Sequence, residues 1–456
     1  MRSNKIYSIL TSYSTQLDSF LFKEKNNSGL ILFRILFGFL MSWHCFDCIY
    51  SGWVKHNFII PKFTFTHIGF EWLQPLPGQG MYYYFAVMGI LGICISLGFL
   101  YRWSIIFFTL LWTGVFLMQK TSYNNHYYLM VLISFIMCFQ PAEKNFSLDA
   151  VINPKIKTLK IPAWCIYIMI FQIAIVYFYA TVAKFYPDWL NGTFTKNMLA
   201  KRAPEILKNV YAEKWFYLSI AYLGIIYDLL IVVLLLYKRT RNYAFAASLF
   251  FHLFNKLHLG IGIFPFLALS FTVFFYPPET FNKLFNRKTS VSSTEERMTT
   301  GLTYGRKFFY WVFIPYFILQ IVLPIRHWFI KDDVLWTEEG HRLSWRMMLR
   351  QKSGNTKFYV VDNTTQKKHQ FKLKKILTRK QIKGMKAKPD MIWQTAQKIK
   401  EYYHKKGKDI SIYIDCKVSI NKQGYKVLID PKTDFAKTEW NYFQHNEWLL
   451  PSKQTP

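Results

Sequence analysis

Cysteine is scarce and scattered. Six occur in 456 residues, five of them (Cys45, Cys48, Cys94, Cys138 and Cys165) in or beside apolar runs and Cys416 alone in a polar region. That distribution excludes a disulfide scaffold. Cys45 and Cys48 form a C-x-x-C, but on an apolar helix without a second His or Cys pair the spacing reads as packing. Metal-ligand spacing is missing too. His252 and His258 are six apart with no Cys or carboxylate nearby, so no metal is expected. Carboxylates are also few, 26 against 57 Lys and Arg, for a net charge of +31. No nucleic-acid-binding motif accompanies that excess, which reads as a solvated face or a surface for an acidic partner. No internal repeat is visible. The first apolar run follows a polar leader and has no A-x-A-like cleavage site, so it is expected to be a retained helix.

What the chain has in quantity is apolar and aromatic residues, 52% and 19%. They are unevenly spread. Residues 1–28 read as a cytoplasmic leader and 29–325 as a helical membrane domain. The stretch 331–456, about 125 residues, is a soluble domain long enough for its own core. Candidate spans cover 29–50, 82–101, 103–118, 127–141, 162–183, 215–236, 243–257, 259–276 and 308–325, each approaching the ~20 residues that cross a bilayer. Residues 243–276 are too long for one crossing, and Gly260 and Gly262 permit a reversal. Basic residues on both sides of that stretch (Lys238, Arg239 and Arg241; Lys283, Arg287, Lys288 and Arg297) favour a hairpin. Nine passes then put the N-terminus inside and the C-terminal domain outside the cytoplasm. The basic 184–214 loop is an exception to the charge rule.

The soluble domain reads as α+β. In ISIYIDCKVSI (410–420) the even positions are apolar, the alternation of a half-buried strand. NKQG then turns into YKVLID as a hairpin. Ile392, Ala396, Ile399 and Tyr403 recur at helical spacing after a Pro389-Asp390 start.

Ionisable groups at membrane depth are functional candidates by default. Asn124, Asn125 and His126 open the fourth span in KTSYNNHYYL. His252, Asn255 and Lys256 share one face of FFHLFNKLHLGIG. Lys184 ends the run IVYFYATVAKFYPDWL. On the nine-pass map all three groups lie toward the outer helix ends. Each has a plainer reading. Lys184 fits a snorkelling cation, Asn124 and Asn125 fit helix caps, and His252 with Asn255 fits interhelical hydrogen bonding. Arg34, in LFRILFG, fits either a group that holds a polar atom inside the bundle or the marker of a cytoplasmic helix end.

FRILFGFLM, LGFLYR, KTSYNNHYYL, VAKFYPDWLNG, FFHLFNKLHLGIGIF, SWRMM and IYIDCKVSIN-to-IDP follow one another along the chain. In this order they resemble segments of the vitamin K-dependent gamma-glutamyl carboxylase family, whose membrane part is also called the horizontally transferred transmembrane domain. The resemblance is to a short, bacterial-type member. It implies a multi-pass protein of a bacterial inner membrane that oxidises a reduced K-type quinone with O2 to the epoxide. The energy is used to remove a glutamate γ-hydrogen, and the carbanion takes up CO2. Reduced quinone, O2, CO2 and a protein or peptide glutamate are thus the implied reactants.

By the same resemblance Lys184 is the base that takes a quinol proton. An ordinary lysine is protonated, but burial can lower its pKa by ~3–5 units. Asn125 and His126 would hydrogen-bond the quinol, with Asn124, His252 and Asn255 shaping its cavity. Trp345 and Met348, in HRLSWRMML, would lie on the substrate-glutamate side. Two departures bear on carboxylation. By the resemblance, the extended C-terminal region of animal members is expected to be missing, and the 51–81 loop has no cysteine to tie to the soluble domain. Two other readings stand beside this one: a quinol epoxidase or oxidoreductase that does not carboxylate, and a non-catalytic transporter or scaffold. Related halves, expected of a transporter, are not visible, and a scaffold has no need of Lys184 beside NNH.

Overall fold

The computed structural model describes residues 15–282, 285 and 302–453. Residues 1–14 of the expected leader, the basic positions Lys283, Arg287, Lys288 and Arg297, and the His258 side chain lie outside them. The chain begins as helices α1 (Ser28–Tyr50), α2 (Gly80–Leu97), α3 (Tyr101–Met118), α4 (Asn125–Met137) and α5 (Trp164–Val182). It continues as α6 (Lys214–Leu236), α7 (Arg241–Leu259), α8 (Phe264–Ser270) and α9 (Leu302–Ile325). All nine expected runs carry helix. Among the described residues, six of these helices are long and apolar enough to cross a bilayer: α1, α2, α3, α5, α6 and the one around α9. Asn125–Met137 and Phe264–Phe275 are shorter apolar helices. Helix α7 has 19 residues but carries Arg241, His252, Asn255 and Lys256.

The reversal expected near Gly260 is present. Gly260 caps α7 at φ +57°, a left-handed conformation that closes a helix without a Cβ clash. Helices α1 and α2 approach closely because of two glycines. A Cβ on Gly38 would lie 2.3 Å from the Ser96 amide nitrogen, and one on Gly92 2.6 Å from that of Ser42. Arg34 is buried in α1, where its guanidinium donates to the Ala142 and Phe146 carbonyls at 2.9 and 2.6 Å. It fastens the 142–146 turn. Residues 15–27 pack on the bundle as well. Phe22 sits against Phe309, and strand β1 (Glu24–Asn26) pairs antiparallel with β2 (Lys160–Pro162).

The soluble domain is a four-stranded antiparallel sheet ordered β4-β3-β5-β6, from β3 (Lys352–Asp362), β4 (Lys368–Gln370), β5 (Ile410–Ile420) and β6 (Lys426–Val427). The expected strand is β5, with Ile410, Ile412, Ile414, Cys416 and Val418 buried. The hairpin follows as β6. Helix α10 (Pro389–His404) starts on Pro389 at its first turn and buries Ile392, Ala396 and Ile399. The loop between α1 and α2 joins this core without a cysteine. Phe65 is buried in it, Gln381 donates to the Phe63 carbonyl (2.7 Å), and the Lys120 amide donates to the Phe65 carbonyl (2.8 Å).

Candidate active site

Helix α5 ends at Val182, and the Lys184 amide donates back to the Thr181 carbonyl at 2.9 Å. That tight turn directs the Lys184 side chain into the bundle, where it is only 8% exposed. Its Nζ donates to the Ala180 carbonyl (3.1 Å), lies 5.4 Å from the centre of the Trp189 ring, and makes an ion pair with Asp228 of α6. The Trp189 indole donates to the Ala221 carbonyl (3.0 Å), a second tie to the same helix two turns away. The sequence reading had burial alone suppress the lysine's charge. The structure adds a carboxylate that stands against the nitrogen. A buried Lys–Asp pair carries no net charge, which is why this position accepts a lysine.

Asp228 is the functional candidate absent from the sequence analysis, although it is the one carboxylate in a mainly apolar 23-residue helix. Beside it, Tyr227 Oη donates to Ser248 (3.1 Å) and lies 3.2 Å from His252 Nε2. Tyr177 Oη lies 3.2 Å from the same nitrogen. The network thus joins α5, α6 and α7. The other ring nitrogen, His252 Nδ1, is buried without a partner among the described residues. His126 and His252 flank Phe264, each ring 5.9 Å from it. Beside this row a cavity of about 280 Å³ is lined by His44, Cys48, Tyr127, Lys256, Ile263 and Phe266 among others. Lys184 does not line it, so the expected groups are linked through Phe264, His252 and Tyr227 rather than gathered in one chamber. Asn255, half-buried one turn past His252, is not drawn into the network.

Asn124 and Asn125 separate by role. Asn124 Oδ1 accepts from the Tyr127 amide (2.9 Å) and caps α4, as its plainer reading had it. Asn125 accepts from Tyr123 Oη (3.1 Å) and donates to the Arg346 carbonyl (3.3 Å), so it faces the segment after α9. That segment is strained. Glu338, Leu343, Trp345 and Met348 take φ of +64°, +60°, +55° and +51°, conformations that cost non-glycine residues about 1 kcal/mol or more each. Trp345 is buried, stacks on Tyr128 at 5.1 Å, and has an indole N–H without a partner among the described residues. Met348 is 38% exposed.

Residues 22–279 match the family model of the HTTM domain, and residues 305–455 match that of the lumenal domain of vitamin K-dependent gamma-carboxylase. The chain belongs to this carboxylase family. No solved structure matches it. It is an integral, multi-pass membrane protein whose carboxylase-type soluble domain sits on the Lys184 side of the bundle. Asp188 accepts from Asn421 (2.6 Å) and Gln423 (2.8 Å) of that domain. Between the two parts runs a cleft of about 350 Å³, lined in part by Tyr186, Asp188, Trp336, Ile420 and Lys426. The strained segment is anchored by Glu338, which pairs with Arg350 and, at 3.4 Å, with Lys352. Burial alone would raise that carboxyl, but the two cations outweigh it and hold it well below the usual carboxylate range.

Proposed function

We propose that the chain is a membrane carboxylase that couples oxidation of a reduced K-type quinone by O2 to γ-carboxylation of protein glutamate. The observation that carries this reading is Lys184. It is a buried amine paired with a carboxylate, on the side of the bundle facing the substrate-handling domain, in a family whose chemistry begins with a deprotonation. The quinol, when bound, supplies the oxidative driving force that a side chain cannot, and CO2 supplies the carbon.

The residues divide the remaining work. Lys184 takes the proton of the quinol hydroxyl, with Trp189 and Ala180 fixing its nitrogen. His126, Asn125 and the unpartnered Nδ1 of His252 are the polar groups available to orient the ring, and the aromatic wall around Phe264 excludes water. The strained segment around Trp345 and Met348, together with the cleft beside Tyr186, presents the glutamate. Lipid, quinol and a glutamate-bearing polypeptide are the partners, and the soluble domain works outside the cytoplasm.

The test is a single incubation of purified protein with reduced naphthoquinone, O2, labelled bicarbonate and a Glu-containing peptide. Epoxide together with acid-stable label in the peptide is the expected result. Epoxide without label assigns the epoxidase reading instead, and neither product points to a transporter or scaffold.

A further inference from the structure

We propose that Asp228 is the resting place of the proton that Lys184 gives up to become a base, so that the working base is the Lys184–Asp228 pair and not the lysine alone. The proposal rests on the carboxylase reading above. A bare carboxylate within an apolar helix is expensive, and among the described residues Lys184 is the one partner of Asp228. The pair has zero net charge as ammonium and carboxylate, and zero again as amine and carboxylic acid. One proton moving across one hydrogen bond frees the nitrogen lone pair without changing the buried charge. Burial alone offers no such route, because a solitary lysine must first send its proton to water.

The balance then closes. The O–H bond of the quinol breaks and an N–H bond forms on Lys184. The pair becomes ammonium plus carboxylic acid, and its single positive charge sits against the quinolate. No oxidant is needed for this step. Tyr227, next to Asp228, is held by Ser248 and by the His252 that Tyr177 also contacts. Those bonds fix α6 against α5 and α7 and keep the carboxylate on the lysine. Asp228 is in this sense a positioning residue that acts through Lys184.

The experiment compares wild type, Asp228→Asn and Asp228→Glu for quinol epoxidation at neutral pH. Asparagine keeps a hydrogen bond but stores no proton. Its epoxidation kcat should fall about 100-fold near neutral pH, the size of a general-base contribution, with KM for the quinol little changed. Asp228→Glu should recover most of the rate. A second readout needs no turnover. Under nitrogen, adding reduced naphthoquinone to the wild type should produce an infrared band of a protonated carboxyl that moves in Asp228→Glu. A wild-type rate in Asp228→Asn, no recovery in Asp228→Glu, or no carboxyl band on quinol addition each overturns the proposal. Absence of epoxide from the wild type would instead sink the carboxylase reading itself.

Discussion

Lys120 and Lys184 are both buried against an aspartate, one at the junction of the two domains and one inside the helix bundle. Lys120 Nζ lies 2.6 Å from Asp390, and Arg342 holds the same carboxylate at 2.5 Å. Three charges sum to +1, and Asp390 is committed to two cations at once. The second site has two charges and no surplus. A carboxylate gripped by an arginine and a lysine has no use for another proton, whereas one that faces a single lysine can exchange one with it. The number of partners separates this latch from the pair proposed as the base, although both are built around a lysine and an aspartate.

The latch side carries the largest expected effect. Asp390→Asn leaves Lys120 and Arg342 buried without a counter-charge, which should cost about 3–5 kcal/mol of stability, seen as a large drop in the detergent melting temperature. The surviving folded protein should keep the pH profile of the wild type, since the proposed Lys184–Asp228 base is untouched. Phe65→Ala, which empties the place where the α1–α2 loop enters the soluble core, should cost about 3 kcal/mol. Most of that loss should register as earlier proteolysis of the soluble domain.

The pH dependence sharpens the contrast. Burial alone would raise the Asp390 carboxyl, but Arg342 and Lys120 outweigh it and hold it far below the usual range. A depressed carboxyl contributes fully above its unfolded value of about 3.9, and the contribution fades only as pH falls below that. His67, stacked on Phe116 beside the latch, is pushed down to about 3 by burial and then by Arg342 and Lys120, so it stays neutral. The stability difference between wild type and Asp390→Asn should therefore be no smaller at pH 5 than at pH 8. A difference that shrinks toward pH 5 would break the latch assignment. Asn124→Ala should give the smallest change, about 1 kcal/mol from a lost helix cap, with quinol KM unaltered.

Much of this was legible along the chain. The alternation in Ile410–Ile420, the Pro389 helix start and the Gly260 reversal are local patterns with local causes. Lys184 stands out at the end of an aromatic run, an ion where lipid should be. What could not be read is pairing. Asp228 lies on a different helix from Lys184, and Tyr177 and Tyr227 look like ordinary apolar filling until a histidine from a third helix reaches both. Strand β3 was missed because its first half, Lys352–Lys357, is mostly polar. It is a strand because β5 offers it a partner along its whole length. The latch joins Lys120 to Asp390 across most of the sequence, and no spacing rule spans such a gap.

The most direct test is epoxide formation by Lys184→Ala in membranes supplied with reduced naphthoquinone and O2, beside wild type and with folding checked by gel filtration. The account predicts that the folded variant makes no epoxide above background while wild type turns over. A folded Lys184→Ala protein that forms epoxide at the wild-type rate would contradict it.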